Sequence, residues 1–514
     1  MDSSSLQALQ PLLSCFMVAL IFLVMTFFSH SRPKLPYPPG PKGLPLIGNM
    51  LMMDQLTHRG LARLAKQYGG LLHLKMGRIH TVAVSTPDMA REVLQVQDNA
   101  FSNRPATTAI SFLTYDRADM AFADYGPFWR ETRKICVMKL FSPKRAESWQ
   151  SVNEEVDWLM GTISAKVGSS VNVAELALAL TKTITYRAAF GSISREGQDE
   201  FGKIIEEFSK LFGASTIGDF IPWLGWICGQ KFNERLISAR RSLDEFIGKI
   251  IDDHMAKKKI SNLNNCLDEV DTDMVDELLK FYKENYFENE SKDLQFSFKV
   301  TRDNIKALIM DVMFGGTETV ASAIEWCMAE LMKNPADLKK VQQELSNVVG
   351  QNRRVHESDL VKLTYLKCVI KETLRLHPPI PVLVHKTATD CTVAGYKIPA
   401  KSHVMINAWA IGRNKAAWDN PDTFKPSRFL HGDAPDFTGS NFQLIPFGSG
   451  RRSCPGMKLG LYTLELTVAQ LCHCFTWELP DGMKPSELDM NDVFGFTSPR
   501  AIQLVAVPSH RLQC

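Results

Sequence analysis

The chain has 514 residues, of which 45% are hydrophobic, and its formal net charge is +3. This length predicts one large or two fused domains with a sizeable core, and the near balance of charge argues against a nucleic-acid-binding protein. The 11 cysteines are scattered without CxxC pairs, which argues against a disulfide framework or a zinc ribbon and favours a reducing compartment.

The N-terminal segment predicts a membrane anchor. Residues 12–28 form an uncharged apolar run, LLSCFMVALIFLVMTFF, which is close to the minimum length of a spanning helix. Arg32 and Lys34 follow this run, and positive charge there is typical of an anchor whose body faces the cytosol. A cleaved signal peptide is the alternative. We predict an anchor over residues 1–30, a proline-rich hinge over residues 31–42 and the main body over residues 43–514.

Two stretches of the body predict β-structure. Residues 71–87 contain two apolar, partly β-branched runs on either side of Gly77 and Arg78, which is typical of a hairpin. Residues 397–412 predict more sheet. Elsewhere the apolar residues recur at helical spacing. The sequence therefore predicts a mainly α fold with a smaller β region.

Two further segments have ambiguous patterns. Residues 220–227, FIPWLGWI, belong either to the core or to a loop that dips into the membrane interface, where tryptophan is favoured. Residues 261–293 are polar and acidic, and they predict an exposed connection with a short helix.

Residues 305–332 predict a long apolar helix whose middle reads GGTET. Each glycine inside a helix costs about 1 kcal/mol relative to alanine. A kinked or widened turn that makes room for a ligand would offset that cost. The alternative is a simple kink beside a solvated Glu318.

Residues 446–456, PFGSGRRSCPG, place a lone cysteine in a glycine-rich loop before a helical pattern. Pro455 suits the first helical position, so Cys454 is predicted at the N-cap. The helix dipole, together with Arg451 and Arg452, is expected to lower the pKa of the Cys454 thiol. A single thiolate cannot hold zinc or an iron–sulfur cluster, but it can be the axial ligand of a haem. A buried cysteine at an ordinary helix start is the alternative.

The same loop meets the pattern F-x-x-G-x-R-x-C-x-G, which resembles the haem-binding signature of the cytochrome P450 family. The matching residues are Phe447, Gly450, Arg452, Cys454 and Gly456. This resemblance implies the cytochrome P450 fold behind the N-terminal transmembrane helix. It also implies a haem b whose iron takes the Cys454 thiolate as its axial ligand.

Other motifs agree with this family. Glu372 and Arg375 match its E-x-x-R, and Arg428 matches the arginine of its P-E-R-F, where the usual glutamate is Ser427. Residues three apart on a helix face each other, so Glu372 and Arg375 are expected to form a buried ion pair. By the resemblance, the donors to the haem propionates are Trp129, Arg133, His385 and Arg452.

The GGTET segment resembles the oxygen-activation motif of the family, from which it departs at Val320. The resemblance implies that Thr319 acts where dioxygen binds and that Glu318 helps to bring protons from solvent. Electrons are then expected from NADPH through a flavoprotein reductase. Basic residues on the cysteine side are expected to dock that reductase, and a generic basic surface is the alternative: Arg130, Lys134, Lys139, Arg451 and Lys458.

Several long stretches resemble the plant ferulate 5-hydroxylase (coniferaldehyde 5-hydroxylase) family, among them residues 48–62, 101–130, 310–326 and 480–495. The resemblance implies hydroxylation of the aromatic ring of guaiacyl phenylpropanoids (coniferaldehyde, coniferyl alcohol or ferulate) for syringyl lignin. It also implies a single-pass protein of the endoplasmic reticulum membrane with its catalytic domain in the cytosol. The positions expected to line the pocket are residues 111–117, 313–319, 380–383 and 496–497.

Two alternatives stay open at this point. One is a flavonoid ring hydroxylase of the same family, since both substrate classes are flat phenols. The other is a haem isomerase, dehydratase or sensor that does not use dioxygen. The pair Glu318 and Thr319 argues against the second alternative, because such proteins need no proton relay.

Overall fold

A computed structural model describes residues 35–141, 146–191, 198–264, 273–282, 300–437 and 439–512. The predicted anchor and the first residues of the predicted hinge lie outside the described residues. The rest of the hinge lies against the sheet region, where the backbone N–H of His73 donates to the Pro39 carbonyl (2.9 Å) and that of Lys397 donates to the Pro36 carbonyl (2.8 Å).

Most described elements are helices, as the sequence predicts. The α-helices are α1 (His58–Tyr68), α2 (Pro87–Arg91), α3 (Thr108–Leu113), α4 (Pro127–Ile135), α5 (Ala146–Ser164), α6 (Val173–Phe190), α7 (Gln198–Phe212), α8 (Ile217–Phe220), α9 (Gly229–Asn264), α10 (Met274–Leu279), α11 (Arg302–Lys333), α12 (Pro335–Val349), α13 (Glu357–Leu360), α14 (Thr364–Leu376), α15 (Ala408–Ile411) and α16 (Met457–Cys474). Short 3-10 or π helices lie at Met50–Leu56, Glu92–Val96, Cys136–Leu140, Pro222–Cys228, Pro426–Phe429, Gly450–Arg452, Pro480–Gly482 and Pro485–Glu487.

In the described part of the chain, the β region consists of three small sheets. Their strands are β1 (Leu71–Met76), β2 (Ile79–Val84), β3 (Val171–Asn172), β4 (Val382–Lys386), β5 (Cys391–Val393), β6 (Tyr396–Ile398), β7 (His403–Asn407), β8 (Phe475–Glu478) and β9 (Val505–His510). The orders are β1-β2-β7-β4, β3-β9-β8 and β5-β6. The predicted hairpin is present, because β1 and β2 pair antiparallel with Met76 opposite Ile79.

The prediction of sheet throughout residues 397–412 is wrong at its C-terminal end. Strand β7 ends at Asn407, and residues 408–411 form α15. The Asn407 side chain accepts a hydrogen bond from the backbone N–H of Ala410 (3.0 Å). This N-cap starts the helix where the apolar pattern alone reads as strand.

The central element is α11. Its residues contribute to two large hydrophobic clusters, one shared with α6, α12, α14 and α16 and the other shared with α7, α9 and α10. Among the described residues, α11 is also the one helix long and apolar enough to cross a membrane, but its apolar window is 61% buried inside the protein. Its apolar character is therefore explained by its position in the core.

Two ambiguous segments are resolved by packing. The short helix predicted within residues 261–293 exists as α10, but it is not exposed, since Met274, Val275, Leu278 and Leu279 are buried. In residues 220–227, Phe220 and Ile221 are buried, whereas Trp223 and Trp226 are 64% and 79% exposed. The tryptophans therefore do not belong to the core.

Candidate active site

An internal cavity of about 440 Å³ lies between α11 and the loop that precedes α16. Its other walls come from α4, α6, β4 and the segment between α3 and α4. Most of the lining is apolar. The structure brings these predicted site residues to the cavity: Trp129, Arg133, Thr319, His385, Phe447, Arg452, Cys454 and Gly456.

The cysteine loop enters this cavity from the side opposite α11. The backbone N–H of Cys454 donates to the Phe447 carbonyl (2.9 Å), which closes the loop. Gly450 has φ +69, and a Cβ there would lie 2.4 Å from the Leu94 carbonyl oxygen. A side chain at this position would therefore displace the loop from its neighbour.

Cys454 is not the N-cap that the sequence predicts. Helix α16 begins at Met457 and its N-cap is Gly456, so Pro455 precedes the helix instead of opening it. The thiol nevertheless lies near the start of the helix, because the Gly456 backbone N–H is one of the groups that lower its pKa.

The expected lowering of the Cys454 pKa is also wrong for the protein chain alone. The thiol is accessible from the cavity but lies deep inside the protein, and burial raises its pKa, against smaller opposing effects of the Gly456 N–H and of Arg133. Arg451 does not contribute, since it pairs with Asp98 at the surface (3.0 Å).

Three arginines surround the cavity near the cysteine loop. Arg452 Nε donates to the Ser102 carbonyl (2.6 Å), and its guanidinium lies 4.4 Å from the ring centroid of Trp129. Arg133 donates to the Ser453 carbonyl (2.7 Å), and Arg104 donates to the Val384 carbonyl. Burial and mutual repulsion lower the pKa of Arg452 to about 9, and burial together with the charge of Arg133 lowers that of Arg104 to about 10.

The cavity-lining histidine is neutral in the protein chain alone. Burial and the nearby Arg104 lower the pKa of His385 well below its usual value. Its Nδ1 lies 2.8 Å from the Phe101 carbonyl and donates to it. Nε2 can therefore donate to a ligand only when the ring is protonated, which an anionic ligand would favour.

Helix α11 forms the opposite wall and is continuous through GGTET. A Cβ on Gly315 would meet nothing within 4 Å, whereas one on Gly316 would lie 3.1 Å from Thr185 Oγ1 of α6. One glycine thus keeps cavity space open and the other allows two helices to approach. The Thr319 hydroxyl borders the cavity and donates to the Gly315 carbonyl (2.6 Å).

Glu318 does not border the cavity. The hydroxyls of Ser209 on α7 and Thr497 both donate to its Oε2, at 3.0 and 3.2 Å. The structure therefore separates the two residues of the predicted oxygen motif, with Thr319 at the cavity and Glu318 on another side of α11.

Four phenylalanines form one wall of the cavity. Phe122 stacks on Phe212, with ring centroids 5.7 Å apart and an interplanar angle of 9°. Phe314 lies 5.0 Å from Phe212 and 4.9 Å from Phe496. These rings come from four separate segments, and a planar aromatic molecule would contact their faces and edges.

The predicted pocket positions are correct in part. Residues 380–383 border the cavity, as do Phe314–Gly316, Thr319 and Phe496. Residues 111–117 do not, because Met120, Ala121 and Phe122 take that position instead. Sequence reasoning also missed Arg104, Phe212 and Asp311. A lone arginine beside Pro105 carries little signal, and Phe212 lies within an ordinary amphipathic helix pattern. Asp311, an acidic residue inside the long apolar pattern of residues 305–332, was the signal that could have been read.

Comparisons with known proteins agree with this geometry. The family model described as cytochrome P450 matches residues 38–505. The chain belongs to the cytochrome P450 family. It is 64% identical to cytochrome P450 84A1 of Arabidopsis thaliana over 100% of both chains. It is 55% identical to cytochrome P450 84A4 of the same plant, over 97% of this chain and 98% of the relative.

More distant relatives and a solved structure also match over most of the chain. A desmethyl-deoxy-podophyllotoxin synthase of Sinopodophyllum hexandrum is 40% identical over 98% of both chains. A solved structure of a zebra fish cytochrome P450 with progesterone has the same fold, with a TM-score of 0.73 and 24% identity over 88% of this chain and 99% of that chain. The mainly helical P450 fold with a smaller sheet region is thus confirmed.

The residues around the cavity fit the haem that a P450 implies. Among the described residues, Arg104, Arg133 and Arg452 donate to backbone carbonyls and a serine hydroxyl and have no carboxylate in direct contact, and their pKa values are all lowered. Buried cations in such a group call for anions. Two propionates would supply them, and Cys454 on the same cavity offers a sulfur to iron.

The ion pair expected between Glu372 and Arg375 is present and fully buried. Glu372 accepts from Arg375 Nε (2.7 Å) and Nη2 (2.8 Å) and from Arg428 Nε (3.0 Å). The Lys425 backbone N–H adds a fourth bond (2.7 Å). Ser427, which replaces the usual glutamate of the P450 pattern, takes no part in holding these three side chains together.

Proposed function

We propose that this P450 monooxygenase hydroxylates the 5-position of the aromatic ring of guaiacyl phenylpropanoids, with coniferaldehyde, coniferyl alcohol and ferulate as the candidate substrates for syringyl lignin. The observation that carries the proposal is the wall formed by Phe122, Phe212, Phe314 and Phe496. It supplies several ring faces to a flat phenol in a cavity that also contains Cys454 and Thr319. The identity to the two Arabidopsis relatives supports the same assignment.

The chain's own residues have separate roles in this proposal. Bound haem b would supply the activation of dioxygen, with electrons from NADPH through a flavoprotein reductase, so that one oxygen atom enters the substrate and the other forms water. Cys454 would hold the iron. Arg104, Arg133 and Arg452, with a protonated His385, would hold the propionates. The sequence prediction that Trp129 is also a donor does not fit, because its only side-chain donor, the indole Nε1–H, donates to the Met120 carbonyl (3.0 Å); its ring instead lies against the Arg452 guanidinium. Phe447 and Gly456 complete the cysteine loop.

Proton delivery is assigned to α11. The Thr319 hydroxyl donates a hydrogen bond to the Gly315 carbonyl, which leaves its oxygen lone pairs available to accept a hydrogen bond from a donor in the cavity. Glu318 is held on another side of the helix by Ser209 and Thr497. We therefore assign it the solvent end of the proton path, which requires water or a side-chain rotation to reach Thr319.

The surface beside the cysteine loop is proposed to dock the reductase. Arg130, Lys134 and Lys458 are exposed there, and a positive surface attracts an acidic partner. Arg451 contributes less than its sequence position indicates because Asp98 pairs with it. The side chain of Lys139 lies outside the described residues.

Attachment to the endoplasmic reticulum membrane is proposed from the N-terminal run and from an apolar surface. Trp223 and Trp226 are exposed, and so are Leu46 and Leu51 of the segment that packs beside Phe220 and Ile221. Tryptophan and leucine side chains on one exposed region favour the membrane interface over water. These exposed side chains support the proposal that residues 220–227 lie at the membrane interface.

The test is turnover in reductase-containing microsomes with NADPH, with coniferaldehyde, coniferyl alcohol, ferulate and a flavonoid competing in one vessel. A new hydroxyl ortho to the phenol of the guaiacyl compounds is expected, and the product ratio ranks the substrates. Cys454→Ser in the same microsomes is the control, and it should give no product. Flavonoid product alone would assign the flavonoid hydroxylase function, and turnover without NADPH would favour the function that needs no dioxygen.

A further inference from the structure

Two carboxyl groups face each other at the edge of the cavity, and the chemistry above uses neither. Asp119 lies between α3 and α4 and is 0% exposed. Asp311 is on α11 and borders the cavity. Asp311 accepts from the backbone N–H groups of the two residues that follow Asp119, and a hydrogen bond between the two carboxyl groups contributes to the pKa of each. Two ionised carboxylates cannot form that bond, because each can only accept.

The hydrogen bonds around the two carboxyl groups leave one of their oxygens without a donor. Asp311 Oδ2 accepts from the backbone N–H groups of Met120 (2.8 Å) and Ala121 (3.1 Å), and Asp119 Oδ2 accepts from that of Phe122 (3.1 Å). Asp119 Oδ1 is buried and has no donor among the residues that the structure describes. A single proton on Asp119 would satisfy this oxygen and make the bond to Asp311.

The electrostatic environment favours protonation of Asp119 beside Asp311. Burial raises the pKa of both carboxyl groups, and the charge of Asp311 raises that of Asp119 further. The groups that face the pair from neighbouring elements are Arg452, whose charge opposes the rise, and Cys136, whose own pKa is raised by burial. Haem propionates bound by Arg452 would partly neutralise its charge, so Arg452 would lower the pKa of Asp311 less.

We propose that Asp119 and Asp311 share one proton and act as positioning residues, which hold residues 119–122 against α11 and thereby shape the substrate cavity. Met120, Ala121 and Phe122 all line the cavity, and Phe122 is one of the four rings of its aromatic wall. Loss of the proton leaves two facing charges that repel each other, so the segment moves away from α11. The inference rests on the proposed function only in taking this cavity as the substrate site.

The first experiment follows the spectral binding of coniferyl alcohol to the full-length haem protein from pH 7 to 9. This probe is chosen because a simple phenol keeps its proton up to about pH 10. For the wild type, the apparent Kd should rise by up to about tenfold per pH unit above the pKa of the pair, because the binding-competent fraction falls. Asp119→Asn should bind equally at neutral pH and lose this dependence, since the amide donates to Asp311 without titrating.

Asp124→Asn is the matched control. Asp124 belongs to the same segment but pairs with Arg117 and Lys386 near the surface, so this variant should keep the wild-type pH profile. An Asp119→Asn profile that still follows the wild type would overturn the proposal and assign the titration to another group, such as Arg452. Loss of binding by Asp119→Asn at pH 7 would also overturn it, because a charged Asp119 would then be required.

An infrared titration tests the proton itself and does not depend on the substrate. The wild type should show the carbonyl band of a protonated carboxylic acid at pH 7, which disappears as the pH rises and is absent from Asp119→Asn. If that variant does not incorporate haem, Asp311→Asn serves instead, because it should shift or remove the same band. A wild-type band that neither variant alters would refute the shared proton, whereas failure of coniferyl alcohol to bind any variant would refute only the proposed substrate.

Discussion

Replacing Glu372 with alanine should destabilise the fold more than any change to a surface ion pair. The carboxylate is fully buried and accepts four hydrogen bonds, two from Arg375 and one each from Arg428 and the Lys425 N–H. Removing one partner of a buried ion pair costs about 3–5 kcal/mol, because the other charge is left unpaired. Arg375 retains bonds from Nη1 to the carbonyls of Gly412 and Pro421, which favours the lower half of that range.

That cost is a large part of the whole stability, which for folded proteins is about 5–15 kcal/mol. The assay is the fraction of purified Glu372→Ala chain that gives the haem-thiolate carbon monoxide spectrum, and the half-life of that spectrum on warming. Both should fall sharply. Glu206→Ala, which breaks the exposed pair with Lys210 (2.7 Å), should leave both unchanged. Equal half-lives for the two variants would refute the reasoning that the buried pair is needed for stability.

Three other predictions address the site and the membrane surface. Gly315→Ala should raise the unfolding free energy by about 1 kcal/mol through helix propensity, and it should weaken substrate binding because its methyl group enters the cavity. Gly316→Ala, whose methyl group meets α6, should not give the same gain in unfolding free energy. Thr319→Ala should keep its haem spectrum but release peroxide, and an undiminished yield of product per NADPH would contradict the role in proton delivery. The double variant Trp223→Ser/Trp226→Ser should lose fluorescence quenching by brominated lipids in vesicles, and unchanged quenching would exclude these tryptophans from the interface.

Much of the site can be read from sequence because its parts are local. The cysteine loop, the GGTET helix and the hairpin at Gly77 each depend on glycine positions and on apolar spacing within a short segment, and all three occur in the structure. The ion pair of Glu372 and Arg375 is equally local, since residues three apart share a helix face.

Other features depend on the environment that distant segments create. In the protein chain alone, burial raises the pKa of Cys454 where the local charges by themselves predict a lowered one, and Arg451 pairs with Asp98 instead. Residues 397–412 divide into strand and helix because the Asn407 side chain caps α15. Neither burial nor capping can be read from apolar spacing alone.

The sequence by itself determined the P450 family, the cysteine that faces the cavity and the helix opposite it, because these depend on residue types at short spacing. Only the tertiary structure brought Arg104 beside Arg452, assembled the phenylalanine wall and placed Asp119 against Asp311. The same packing put Glu318 outside the cavity while Thr319, the next residue, borders it. These features arise where segments far apart in the chain pack together and exclude water. A sequence pattern within one segment does not show which distant segments will pack against it.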